Sequence, residues 1–197
     1  MRLKVGTRSL GKMNCNGATA LPSSWSVSAA PGRRVSPFRR AEAATIAGAF
    51  AIMLNSGVLA LADLIPLQTA RGGLLRLLSA ILDGVVQLPH DRSFQFWFHG
   101  LVGLAMALFY AFALEPPMRG APWLKGAIYA LAVWLANAFI VLPLTGEGVA
   151  GSAHLTVMGM VWFAAAHTLF FVTLATSYPR ILDGMARYSR RNQRSHL

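Results

Sequence analysis

The chain has 197 residues, of which 55% are hydrophobic and 13% charged, with a mean hydropathy of +0.49 and a formal net charge of +11. A soluble domain covers its surface with roughly 25% charged residues, so this composition excludes one. The single Cys excludes a disulfide scaffold. High apolar content and the absence of a glycine period exclude a disordered or collagenous chain. An integral membrane protein remains.

Taken in order, residues 1–41 are basic, lack acidic groups and show no hydrophobic period, which predicts a disordered cytoplasmic tail. Three other readings stay open there: a transit peptide, a signal-peptidase site at Ala60-Leu61-Ala62, and an over-extended start. Residues 42–179 hold four apolar runs, at about 43–63, 94–114, 124–145 and 154–177, each near the ~20 residues that cross a hydrocarbon core. Lipid offers no hydrogen bonds to a backbone, so each run is expected to be helical. The predicted fold is therefore an all-α, polytopic four-transmembrane-helix bundle. Between the first two spans, Leu74, Leu75, Leu77, Leu78, Ile81, Leu82 and Val85 recur at three- and four-residue steps within 71–86. That spacing predicts an amphipathic helix on the bilayer surface or over the bundle mouth. Residues 180–197 read as a second basic cytoplasmic tail.

Charge sets the expected orientation. Fifteen of the 18 Lys and Arg fall on the side of the two termini, and three on the other. The positive-inside rule then places both termini in the cytoplasm. Arg33, Arg34, Arg39 and Arg40 precede the first span, and Arg180, Arg187, Arg190, Arg191 and Arg194 follow the last. They are expected to anchor the helix ends on an anionic leaflet, at about 1 kcal/mol each. No base-reading motif accompanies them, so the expected partner is the bilayer and not nucleic acid.

Inside the spans, small residues four apart (Ala44 and Gly48, Gly103, Ala107 and Ala111, Gly126 and Ala130, then Ala164 to Ala166) predict close helix contact. Trp97, Trp123 and Tyr178 are expected at the interfaces. The intramembrane polar residues are Asn55, His99, Asn137 and His167, the residue types that are costly in lipid and mark function. Counting from the expected span ends at 1.5 Å per residue places His99 about 8 Å deep, Asn55 and Asn137 about 12 Å, and His167 about 20 Å. Two roles are open to them: cross-helix bonds that fix register, or a polar cavity that binds a small ligand or passes protons. A haem between His99 and His167 is disfavoured by their difference in depth. At the mouth, His90, Asp91, Glu147 and His154 have types that suit a metal but match no ligand spacing. No nucleophile elbow, phosphate loop or zinc-protease motif occurs, so no catalytic residue, enzyme activity or cofactor is expected.

Trp97-Phe98-His99-Gly100, Trp123-Leu124-Lys125-Gly126, Trp134-Leu135, the loop Pro143-Leu144-Thr145-Gly146-Glu147-Gly148-Val149-Ala150-Gly151, and His167 before an aromatic run carry a likeness. In this order they resemble a group of bacterial four-helix inner-membrane proteins whose domain has no assigned function, and more distantly the YagU-like proteins. The likeness runs from Ala43 to Pro179 and departs where Thr168-Leu169-Phe170-Phe171 replaces a glycine after the histidine. It implies a bacterial inner membrane and no particular activity. The leading expectation is a non-catalytic structural or accessory component of a membrane complex or homo-oligomer. A small transporter or channel acting as an oligomer, with proton coupling as one option, is the alternative, and a haem electron carrier the third.

Overall fold

In the computed structural model, the described residues are 35–194 except 66, 68–71, 84, 86 and 90, without the side chains of Asp63 and Arg194. They form helices and no strand: α1 (Pro37–Leu64), α2 (Gly73–Leu82), α3 (Arg92–Phe109), α4 (Pro122–Ala136), α5 (Leu142–Leu144) and α6 (Val157–Arg194). A π-helical turn, Tyr110–Leu114, extends α3, and a second, Asn137–Val141, joins α4 to α5. Four continuous stretches, Pro37–Ala62, Arg92–Leu114, Pro122–Leu144 and Val157–Gln193, are long and apolar enough to cross a membrane. The chain is a multi-pass helical membrane protein.

Local chemistry fixes most helix ends. Ser36 caps α1 by accepting from Arg39 N–H at 3.4 Å, and Pro37 occupies a first-turn position where its missing N–H costs nothing. Helix α1 therefore takes in residues 37–41, which the sequence assigned to the tail; residues 1–34 lie outside the described part. Asp91 Oδ1 accepts from Phe94 N–H at 2.9 Å and caps α3. Gly146, at φ 79°, ends α5, with Glu147 N–H reaching back to Leu142 O at 2.9 Å. The last helix does not stop at 177. It runs through Pro179 to Arg194 and so absorbs most of the expected C-terminal tail. Around that proline, Thr176 Oγ, Ser177 Oγ and the Arg180 guanidinium donate to the carbonyls of Val172, Thr173 and Thr176 at 2.6–2.9 Å.

Helix α1 packs on both α3 and α6, and α4 packs on α6. Small residues make these contacts close. Ala44, Ala107, Ala111 and Ala130 are buried, as expected. A Cβ built on Gly48 would lie 2.6 Å from Ala107 Cβ, and one on Gly126 would lie 2.6 Å from the Phe171 carbonyl oxygen. In the last helix only Ala166 of the alanine triplet is buried. Helices α3 and α4 meet chiefly through rings near the termini: Tyr129 stacks on Tyr110 at 6.2 Å and its hydroxyl donates to Met106 O at 3.3 Å. Tyr178 joins this group edge-on to Tyr110 at 6.0 Å and is 1% exposed, so it is a core residue and not the interfacial anchor its sequence position suggested. Trp97 and Trp123 are exposed.

Candidate functional site

The half of the bundle near the termini is packed solid by alanines and by Tyr110, Tyr129, Tyr178 and Leu174. The other half opens into a cavity of about 840 Å³ between α1, α3, the α4–α5 segment and α6. Asn55, His99, Asn137 and His167 all line it. The sequence placed His167 about 12 Å away in depth from His99. That separation shrinks because α6 starts at Val157 and α3 at Arg92, not at 154 and 94. Counted from the observed helix ends, Asn55, His99 and Asn137 lie about 10 to 14 Å deep and His167 about 15 Å, close to one layer.

Each group has a defined local environment. Asn55 is 2% exposed, and its Nδ2 donates to His99 Nε2 at 3.1 Å, a cross-helix bond between α1 and α3. The partner oxygen, Asn55 Oδ1, is buried and has no hydrogen-bond partner. His167 Nδ1 lies 2.9 Å from Phe163 O. Only an N–H satisfies a carbonyl oxygen, so Nδ1 carries the proton and Nε2 presents a lone pair. His99 is within electrostatic reach of His167. Asn137 bonds its own helix instead of a neighbour, donating to Val133 O at 3.2 Å. It opens the π-helical turn in which Leu142 N–H reaches back to Asn137 O, immediately before Pro143, which has no N–H to donate.

The depth argument against a ligand shared by His99 and His167 no longer holds. A haem iron shared by the two would need His99 Nε2, which Asn55 Nδ2 engages.

Sequence reasoning missed the rest of the lining. Arg92, Gln95 and Ser56 lie toward the open end, with Gly103, Met106 and Phe170 deeper. A signal was present: positions 92, 95, 99, 102, 103 and 106 form one helix face through His99, at the i, i+3, i+7 spacing. Helix α2 covers part of the opening, contributing Gly72 to Leu75. The protein covers only part of its apolar surface: Leu75 is 2% exposed and Gly73 sits against Leu142 and Val141, while Leu74 and Ile81 are exposed.

Of the mouth residues, the described three, Asp91, Glu147 and His154, do not form one cluster. Glu147 accepts from His154 Nδ1 at 3.0 Å and pairs with Arg76 of α2, while Asp91 is spent on capping α3. His90 lies outside the described residues. Among the described residues no group of three or more His, Cys, Asp or Glu comes together. The Arg76–Glu147 pair instead ties α2 to the α5–α6 loop. Arg76 is 58% exposed, so the pair is modest. Glu147→Gln is expected to speed amide hydrogen exchange across 73–82 by roughly two- to fivefold, read by mass spectrometry, with exchange in α1 unchanged.

The basic residues divide. Arg187, Arg190 and Arg191 are exposed on α6, and Arg180 bonds Thr176 O. Arg39 donates to Ser189 Oγ at 2.7 Å. Arg40 is turned into the protein, away from the expected lipid headgroups. The π turn sends Glu115 N–H to Tyr110 O, leaving Ala111 O to accept from Arg40 Nη2 at 2.5 Å. Arg40 also pairs with Glu115 at 3.4 Å, and Glu115 with Lys125 at 3.6 Å. Arg33 and Arg34 lie outside the described residues, as does the Arg194 side chain.

Comparison with family models, with curated proteins and with solved structures returns no match.

Proposed function

We propose that this chain is a non-catalytic protein of a bacterial inner membrane that holds a small ligand in a dead-end cavity, with both termini in the cytoplasm and the cavity opening on the opposite side. The observation that carries the reading is the convergence of all four intramembrane polar residues on one cavity. The packed aromatic floor favours a binding protein over a channel within one copy. Fifteen of 18 cationic side chains on the terminal side support the orientation, and the resemblance described above supports the bacterial membrane. The bound protein then acts as an accessory component of a membrane complex or a homo-oligomer, with α2 lying at the bilayer surface.

Native mass spectrometry of protein released from its own membranes tests this. A small-molecule adduct is expected on the wild type and lost in Val102→Trp, which fills the cavity. A wild type without any adduct, under conditions that retain bound lipid, contradicts it.

A further inference from the structure

Resting on the accessory role above, we propose that the arginine face of α6, from Arg180 to Arg191, docks an acidic helix of a partner protein.

Helical periodicity sets the face. At about 100° per residue, Arg180, Arg187, Arg190 and Arg191 fall within an arc of about 100°, together with one acid, Asp183. All four arginines are exposed. On the opposite side Leu182 and Met185 pack against the core, and Arg39 holds Ser189 Oγ at 2.7 Å. The helix is thus fixed with its cations turned outward, which lowers the entropic cost of docking.

A lipid leaflet accounts for only the first of these arginines. Helix α6 has 38 residues, about 57 Å, against about 40–45 Å for a bilayer with its headgroups. Counted from Val157, a hydrocarbon core of about 30 Å ends near residue 177, so Arg180 stands at headgroup level. Arg190 and Arg191 stand about 15 Å further along the axis, or about 13 Å with a tilt of about 30°. That is beyond a headgroup layer of about 5–7 Å and most of a surface potential that decays over about 8 Å.

The chain supplies no anion for this face. The side of the termini carries fifteen Lys and Arg but three acids, Glu42, Glu115 and Asp183, and Glu115 is already paired with Arg40 and Lys125. Residues 1–34 hold six cations and no acid. Neither the N-terminal segment nor a second copy therefore neutralises it. Every cation of α6 is Arg and none is Lys, the side chain whose planar fork matches a carboxylate in a bidentate pair. A partner helix about 10 Å across, with carboxylates along one face, fits the protruding length. A nucleic-acid duplex, charged all round, would press its far phosphates toward the anionic leaflet.

Fluorescence anisotropy on the full chain in nanodiscs, with and without anionic lipid and at physiological salt, tests the assignment with three labelled probes. Two are Ala-rich peptides of about 18 residues, long enough to be helical, identical in composition but with glutamates gathered on one face in the first and spread round the helix in the second. The third is a DNA duplex of about 12 base pairs. The wild type is expected to bind the one-faced peptide about tenfold more tightly than the spread one in both kinds of nanodisc, a ratio that several aligned exposed ion pairs reach together. Combining Arg187→Gln, Arg190→Gln and Arg191→Gln should bring the ratio close to one with the unfolding midpoint unchanged, since all three side chains are exposed. Equal binding of the two peptides by the wild type overturns the docking face. Loss of peptide binding in anionic nanodiscs gives the arginines to the leaflet, and tighter binding of the duplex gives them to nucleic acid; either overturns the partner. None of these results touches the cavity, whose adduct is read separately.

Discussion

Gly126→Val is expected to prevent stable assembly of the bundle. A Cβ at this position would lie 2.6 Å from the Phe171 carbonyl oxygen and 2.7 Å from Val172 Cα, both backbone atoms of α6. No rotamer change relieves a clash with backbone, so α4 and α6 would have to separate. Helices in lipid associate through close packing and not through a hydrophobic drive, so separation forfeits what holds them together. The cost is expected at about 3 kcal/mol or more, at the upper end of overpacking effects. It should appear as a fall in the thermal unfolding midpoint in detergent, with aggregation of the purified protein. Gly57→Ala is the internal control. Nothing lies within 4 Å of a Cβ there, and Gly57 is within α1. Replacing a helical glycine by alanine gains about 0.5–1 kcal/mol, so that variant should unfold at the same temperature or higher.

Arg40→Ala should be the second large loss. One guanidinium bonds the Ala111 carbonyl released by the π turn, contacts Tyr178 OH at 3.4 Å, pairs with Glu115, and sits 5.5 Å from the centre of the Phe112 ring. Its removal strands a carbonyl and leaves Glu115 with Lys125 alone. An unsatisfied buried acceptor costs about 1–3 kcal/mol. Arg40→Lys should recover only part of this, since an ammonium retains the charge without the fork that reaches several acceptors at once. Thermal unfolding of the three proteins in one detergent gives the order expected: wild type above Lys, Lys above Ala. A Lys variant equal to the wild type would show that charge alone matters.

These two positions show what the sequence could and could not reveal. Gly126 was legible: small residues four apart in an apolar run predict close approach, and the structure places it against α6 backbone. Arg40 was not. As part of an Arg39-Arg40 pair before a span it looks like any lipid anchor, and its inward role depends on the π turn 71 residues later that frees Ala111 O. Tyr178 was misplaced for a related reason. The last span was expected to end at 177, whereas the Thr176 and Ser177 hydroxyls and Arg180 satisfy nearby carbonyls and the helix continues through Pro179.

The candidate site was legible by residue and not by geometry. Asn55, His99, Asn137 and His167 stand out because they lie well inside their spans, whereas Asp63, Gln95, Lys125 and His154 lie at the ends. Their common layer was obscured by an error of three residues at the start of α6, which at 1.5 Å per residue is about 4 to 5 Å of depth. The cavity itself arises from tertiary packing. Helices α3 and α4 are neighbours in sequence, yet aromatic contacts join them only near the termini, leaving the other half open. No local pattern encodes that.

The address of the cavity depends on all four helices crossing and on both termini sharing one face. Alkaline phosphatase, active only after export, tests this when fused after Leu197 and, separately, within the 145–153 loop. The account predicts an inactive fusion at the C-terminus and an active one in the loop. An active C-terminal fusion would contradict it.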